Sequence, residues 1–112
     1  MELTEKEKIA FLYALKEMMV ADGVVADREM MFINRFAYMR DVDVGQHEFN
    51  QAMAMSEHEA MSILSAMSKD KRRLVLFLLR DIARTDGKVD INERAFWIKI
   101  KSILNITDID DI

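Results

Sequence analysis

Two short stretches of the sequence place acidic side chains at the same spacing around a glycine. The segment ADGVVADRE covers residues 21–29 and TDGKVDINE covers residues 85–93, so the pattern DGxVxxxE occurs twice, 64 positions apart. Carboxylates at fixed spacing can bind a divalent cation or the basic group of a partner protein. The repeated pattern is therefore the first candidate for a functional site.

Much of the pattern also has a purely structural explanation. Gly23 and Gly87 fit the residue just past a helix end, which commonly adopts the left-handed backbone conformation. Glu29 and Glu93 fall near the third position of the following helix, where a carboxylate favours the positive end of the helix dipole. These four residues need no ligand to account for them.

Asp22 and Asp86 are harder to explain by local structure. Each precedes its glycine in what we predict to be the last turn of a helix, where a negative charge typically costs about 0.3–1 kcal/mol. Backbone amides of the same loop can offset that cost. A bound cation or a partner's basic group can also do so, and the residues alone leave both explanations open.

The later half of an EF-hand calcium loop has a closely similar form, DGxIxxxE. Counting back from Asp22 as the fifth loop position places Met18 at the first, and counting back from Asp86 places Ile82 there. Neither side chain can bind calcium in that position. The sequence therefore excludes a standard EF-hand site in both copies.

Composition predicts an all-α protein. The chain has no proline, it is rich in strong helix formers, and it shows no convincing strand alternation. Three pairs with capping-box spacing mark helix starts: Thr4 with Glu7, Ser56 with Glu59, and Asp90 with Glu93. We predict helices at about 4–22, 27–40, 46–54, 57–67, 69–85 and 91–104.

An internal repeat organises these helices. Residues 11–39 align with residues 75–103 at the offset that separates the two DGxVxxxE motifs. The alignment pairs Leu12 with Leu76, Leu15 with Leu79, and Phe32 with Phe96. We predict a single domain over residues 1–112: a compact all-α bundle of five to seven helices, built from two pseudo-symmetric helix–loop–helix units.

The segments MMVADGVVADRE and DIARTDGKVDINE resemble the repeated signature of the TerB-like tellurite-resistance family. That signature is an ADG followed by a hydrophobe and a glutamate, once in each half of an all-helical domain. The resemblance covers most of the chain and implies a bacterial stress-response domain whose paired acidic residues bind a divalent metal. It implies a metal site at Asp22, Glu29, Asp86 and Glu93, with Asp27 and Asp90 as candidate neighbours.

The alternative function is a structural or protein–protein interaction module in which the acidic loops only cap helices. A basic cluster, KDKRR at residues 69–73, offers a second kind of surface, for an anionic partner or a lipid headgroup at the membrane periphery. We assign this face to Lys69, Lys71, Arg72, Arg73, Arg80 and Arg84. A solvated helix face is the ordinary explanation for such charges.

Other classes of function lack their motifs. The sequence contains no nucleophile elbow, P-loop or dinucleotide fingerprint. His47 and His58 each precede a glutamate, but neither has the second histidine that an HExxH metalloprotease requires. We therefore expect no enzymatic activity. A formal net charge of −4 also argues against general nucleic-acid binding.

Composition gives only a general expectation of the cellular location and the partners of the protein. Cysteine is absent, which fits a reducing interior and leads us to expect a cytoplasmic protein. The longest apolar run, LVLFLL at 74–79, is far shorter than the roughly 18 residues that suggest a membrane span. We expect a protein partner, with or without a divalent cation.

Overall fold

The computed structural model describes residues 3–19, 45–84 and 91–111 of the chain. These described residues contain five helices: α1 (Glu5–Met19), α2 (Gln46–Ala54), α3 (Glu57–Ser65), α4 (Lys69–Ala83) and α5 (Ile91–Ile103). The described residues form no strand, so the predicted all-α bundle of five to seven helices is confirmed. None of these five helices is long and apolar enough to cross a lipid bilayer. The predicted helix at 27–40 lies outside the described residues.

Two of the predicted helix starts are held by the side chains expected to cap them. Thr4 Oγ1 accepts a hydrogen bond from the amide of Glu7 at 3.2 Å, and the amide of Thr4 donates to Glu7 Oε1 at 2.8 Å. This is a complete capping box at the start of α1. Ser56 Oγ likewise accepts from the amide of Glu59 at 3.1 Å at the start of α3. The third predicted pair includes Asp90, which lies outside the described residues.

Two further helix starts use caps that the sequence did not suggest to us. Ser68 Oγ accepts from the amide of Lys71 at 3.3 Å at the start of α4. The amide of Gly45 donates to Glu48 Oε2 at 3.1 Å at the start of α2. Each pair departs from the Ser/Thr-x-x-Glu pattern in one member, because Lys71 replaces the acid and Gly45 replaces the hydroxyl.

The end of α5 is fixed by a left-handed residue. Asn105 has φ of 54°, and its amide donates to the Ser102 carbonyl at 3.1 Å. The next amide, that of Ile106, donates to the Lys101 carbonyl at 3.3 Å. These two bonds form a Schellman motif, and the buried Ile106 side chain supplies its usual apolar contact.

Helix α1 is the hub of the described core. It contacts each of the other four helices, and its side chains Leu12, Leu15 and Met18 are buried. Helix α4 packs against α5, where the indole Nε1 of buried Trp97 donates a 2.9 Å hydrogen bond to the Leu76 carbonyl. The core is otherwise apolar, since no described polar or charged residue is fully buried.

The first helices of the two predicted units match each other closely. Helices α1 and α4 are both 15 residues long. Their first residues are separated by the same 64 positions that separate Glu7 and Lys71. Their capping residues, Thr4 and Ser68, share that separation as well. The equivalence therefore extends the aligned region back to the helix caps.

Candidate functional site

Most of the predicted acidic site lies outside the described residues. Asp22, Asp27, Glu29, Asp86 and Asp90 belong to that part of the chain. Glu93 is described, and it lies half-buried in the first turn of α5. Within residues 3–19, 45–84 and 91–111, no three His, Asp or Glu side chains are grouped closely enough to hold a metal ion.

Each helix that leads to a DGxVxxxE motif carries a cation over an aromatic ring in its last turns. Lys16 Nζ lies 4.7 Å from the ring centroid of Tyr13 in α1, and the Arg80 guanidinium lies 4.8 Å from that of Phe77 in α4. The two pairs occupy equivalent positions of the repeat. Both cations also lie where the negative end of the helix dipole stabilises positive charge.

The surroundings of Tyr13 add carboxylates to this cation–π pair. Burial raises the pKa of the Tyr13 hydroxyl, and the charges of Glu17 and Glu57 raise it further. Lys16 Nζ also forms an ion pair with Glu17 at 3.1 Å. The neutral Tyr13 phenol therefore lies near one cation and two carboxylates, of which Glu17 belongs to α1 and Glu57 to α3.

The predicted anionic-partner face is largely engaged within the protein. Lys71 Nζ binds Glu7 Oε1 at 2.8 Å, which joins the first turn of α4 to the first turn of α1. Burial by itself would raise the pKa of Glu7, but the hydrogen bonds and charge of Lys71, together with the Thr4 bonds, hold it below its usual range. The two side chains are only 14% and 23% exposed, for Glu7 and Lys71 respectively.

Arg72 ties together two helix ends. Its Nε donates to the Met67 carbonyl at 3.1 Å, just after α3, and its Nη1 donates to the Leu104 carbonyl at 2.5 Å, just after α5. Carbonyls at the ends of helices lack partners inside the helix. The Arg72 guanidinium donates hydrogen bonds to two such carbonyls at once. In this structure Arg72 therefore binds groups of the protein itself.

Acidic residues of the segment after α5 neutralise two more cations. Arg73 forms a hydrogen-bonded ion pair with Asp108, and Lys101 Nζ binds Asp111 Oδ1 at 2.8 Å. Ile106 and Ile109 from the same segment are buried in the core. Residues 104–111 therefore form a strap that is held by both apolar and charged contacts.

Three members of the predicted basic face remain. Lys69 and Arg84 are exposed. Arg80 is half-buried, and its Nε has no hydrogen-bond acceptor within the described part of the chain. Phe77 lies between Arg80 and Arg73, whose guanidinium is 5.8 Å from the ring centroid. Within the described part of the chain, the contact with the Phe77 ring is the interaction that positions the Arg80 guanidinium.

An open groove that the sequence did not suggest to us lies between α1, α2 and α3, with a volume of about 500 Å³. Its floor is apolar and its rim carries charges of both signs. It is lined by Lys6, Ile9, Gln51, Ala54, Met55, Glu59, Ser62 and Ile63. The only sequence signal for it is the small Ala54 beside Met55, which leaves space where α2 ends and α3 begins.

Both histidines lie on the surface of the protein. The Nε2 atoms of His47 and Gln51 lie 2.8 Å apart, a helical i, i+4 hydrogen bond on the surface of α2. His58 is exposed in the first turn of α3. Neither histidine belongs to a cluster of metal-ligating groups among the residues described.

Comparison with known proteins identifies the fold and leaves the family open. No protein-family model matches the sequence, and no curated protein matches it closely enough to count as a relative. The crystal structure of a protein of unknown function from Porphyromonas gingivalis is similar, with a TM-score of 0.75 and 23% sequence identity. The similarity covers 97% of this chain and 84% of that protein. The chain thus shares an all-α fold with a solved bacterial protein.

Proposed function

We propose that this chain is a non-enzymatic TerB-like domain of the stress-response and tellurite-resistance type, acting in the bacterial cytoplasm. In this proposal its paired acidic loops bind one divalent cation through Asp22, Glu29, Asp86 and Glu93, with Asp27 and Asp90 nearby. Carboxylate oxygens are the ligands that Ca²⁺, Mg²⁺ and Mn²⁺ prefer.

The observation that carries the proposal is the equivalence of α1 and α4. They start at equivalent capped residues, Thr4 and Ser68, and their first residues lie the same distance along the chain before Asp22 and Asp86. Two helices that start alike support the view that both DGxVxxxE motifs have one purpose. The sequence resemblance to the TerB-like family indicates that this purpose is the binding of a divalent cation.

Glu93 is the member of the set whose surroundings bear on the proposal. It lies in the first turn of α5, where the positive end of the helix dipole favours the ionised carboxylate. This supports Glu93 as a ligand, although the same position also suits a helix cap.

The test is calorimetric titration of Ca²⁺, Mg²⁺, Mn²⁺ and Zn²⁺ into metal-free protein. The key variant is the double substitution Asp22→Asn/Asp86→Asn, and the matched control is Asp70→Asn/Asp110→Asn. The control removes the same charge at two exposed aspartates. Binding by the wild type and the control, and not by the key variant, is the expected result. No binding by the wild type would contradict the proposal.

The second candidate is a protein-interaction module in which both aspartates only hold their own loops. The groove between α1, α2 and α3 favours it, because an apolar floor with a charged rim is typical of binding sites. In that case Asp22→Asn and Asp86→Asn each lower the free energy of unfolding by the same amount with and without metal. A metal-dependent difference would favour the first candidate.

A further inference from the structure

Helix α5 has an outward side that is apolar along its centre. Its buried side contains Trp97 and Ile100. On the opposite side, Ile91, Ala95 and Ile98 follow one another at i, i+4 and i+7. Ile91 is 78% exposed and Ile98 is 38% exposed. We call these three residues the α5 outer face.

Cations border the α5 outer face on both edges. The helical spacing places Arg94 along one edge and Lys99 along the other, and both are exposed. Glu93, the only acidic residue of α5, lies one turn before Trp97 on the half-buried side. The face therefore combines apolar residues with positive charge, in a chain whose net charge is −4.

Lys99 is held only weakly by its ion pair within the protein. It pairs with Glu57 at 2.6 Å, but the two side chains are 54% and 53% exposed. Exposed pairs of this kind contribute little to stability, so an incoming carboxylate can share or replace Glu57. Arg94 makes no ion pair within the part of the chain that the structure describes. The cations on both edges are thus exposed on the surface of α5.

Two other occupants fit the face poorly. In a second copy of this chain, parallel packing of α5 against α5 brings the Arg94 edge to the Lys99 edge of the second copy, and antiparallel packing brings each edge to its equivalent, so cations meet cations in both arrangements. To a membrane surface, the α5 outer face would present two isoleucines and an alanine. It lacks the Trp, Phe or Leu side chains that anchor interfacial helices. Charge and side-chain type therefore favour an acidic protein segment.

We propose that the α5 outer face docks an acidic amphipathic helix of a partner protein. Ala95 at the centre lets the partner helix approach closely, while Ile91 and Ile98 pack against its apolar residues. Glutamates or aspartates on the flanks of the partner helix pair with Arg94 and Lys99. This docking surface lies on the same helix as Glu93 of the proposed cation site, but it uses different side chains.

The test uses a synthetic helical peptide of about 15 residues, with leucines at i, i+4 and i+7 and glutamates on both flanks. A matched peptide carries lysines in place of the glutamates. Binding is measured by fluorescence anisotropy at low and moderate salt, and the bound surface is located by amide chemical-shift changes. The acidic peptide is expected to bind, more weakly as salt rises, with shifts centred on residues 91–102.

Variants separate this face from other exposed apolar residues. Arg94→Glu and Ile98→Ser are each expected to raise the dissociation constant for the acidic peptide by about tenfold or more. Met53→Ser, at a residue of α2 that is 48% exposed, is the control and should leave the dissociation constant unchanged. Circular dichroism confirms that each variant is folded. Asp22→Asn/Asp86→Asn should also bind the peptide normally, which distinguishes this proposal from the cation site.

Several outcomes would overturn the proposal. Equal binding of the acidic and basic peptides would remove the electrostatic argument, and shifts centred on the α1–α2–α3 groove would move the site. Binding to vesicles of phosphatidylglycerol that is lost in Ile98→Ser would make the occupant a membrane. Dimerisation of the wild type that is lost in the same variant would make it a second copy.

Discussion

Glu7 and Lys71 occupy equivalent positions in the two halves of the repeat, and they bind each other. They are 64 positions apart, each at the third residue of its helix, and Glu7 Oε1 lies 2.8 Å from Lys71 Nζ. The same oxygen accepts from the amide of Thr4. One carboxylate therefore caps α1 and also offsets the unfavourable charge of a lysine at the start of α4.

Glu7→Gln should lower the free energy of unfolding by about 1–3 kcal/mol at neutral pH, because it weakens charge-assisted hydrogen bonds in a half-buried site. The matched control is Glu5→Gln, which changes an exposed glutamate of the same helix turn. Urea unfolding of the wild type and both variants measures the effect. Equal losses of unfolding free energy in the two variants would show that the removal of one negative charge, and not the Glu7–Lys71 pair, is responsible.

The same pair predicts a pH dependence. The pKa of Glu7 is lowered in the folded protein, so its contribution is present above the usual glutamate pKa of about 4.3 and is lost as pH falls through the lowered value. The stability difference between wild type and Glu7→Gln should therefore shrink in acid. Urea unfolding at a series of pH values from about 7 to about 3 tests this, and a constant difference would contradict it.

Arg72 and Arg73 are neighbours in sequence but should respond differently to substitution. Arg72→Met leaves the carbonyls of Met67 and Leu104 without their donor and should cost about 1–3 kcal/mol. Arg73→Met removes an ion pair with the half-exposed Asp108 and should cost no more than about 1 kcal/mol. Chemical denaturation followed by Trp97 fluorescence compares them, and equal costs would refute the distinction.

Asn105 should tolerate glycine and reject β-branched residues. Its φ of 54° is in the left-handed region, where glycine has no steric penalty and other residues pay roughly 1–2 kcal/mol. Asn105→Gly should be neutral or slightly stabilising, and Asn105→Val should lower the melting temperature clearly. Thermal unfolding measures both, with Thr107→Val as an exposed control in the same strap. An unchanged melting temperature in Asn105→Val would mean that the Schellman motif is not retained.

Trp97→Phe tests the bond between α4 and α5. The substitution removes the indole donor to the Leu76 carbonyl and some buried volume, so we expect a loss of about 1–3 kcal/mol. Trp97→Ala should cost more, about 3–5 kcal/mol. Because Trp97 is the only tryptophan, unfolding must be followed by far-UV circular dichroism. A loss in Trp97→Phe as large as that in Trp97→Ala would place the main effect in the hydrogen bond.

Helix bounds were predictable wherever the signal was local. The predicted helix at 46–54 matches α2, and those at 57–67 and 69–85 start where α3 and α4 start. Hydroxyl caps and apolar periodicity act within a few residues, so they can be read from sequence. The cap at Ser68 was missed because its partner position holds Lys71, whose charge is satisfied by α1 instead.

The partners of the basic cluster could not be predicted from the sequence. Residues 71–73 looked like one charged face, but successive helical residues point about 100° apart. Lys71 therefore meets α1, Arg72 meets two helix ends and Arg73 meets the strap. Those partners are distant in sequence, and only the packing of helices decides them. The acidic loops stay a prediction.

The position of α1 as the hub has a consequence for synthesis on the ribosome. The four helices that cover α1 all follow it along the chain, and α5 comes last among them. A helix of this length is only marginally stable without tertiary contacts. Its leucines and Phe11 are thus not completely covered until α5, the last of these four helices, has emerged. Nascent chains that stall before α5 should accordingly be good substrates for chaperones, which bind exposed apolar surface.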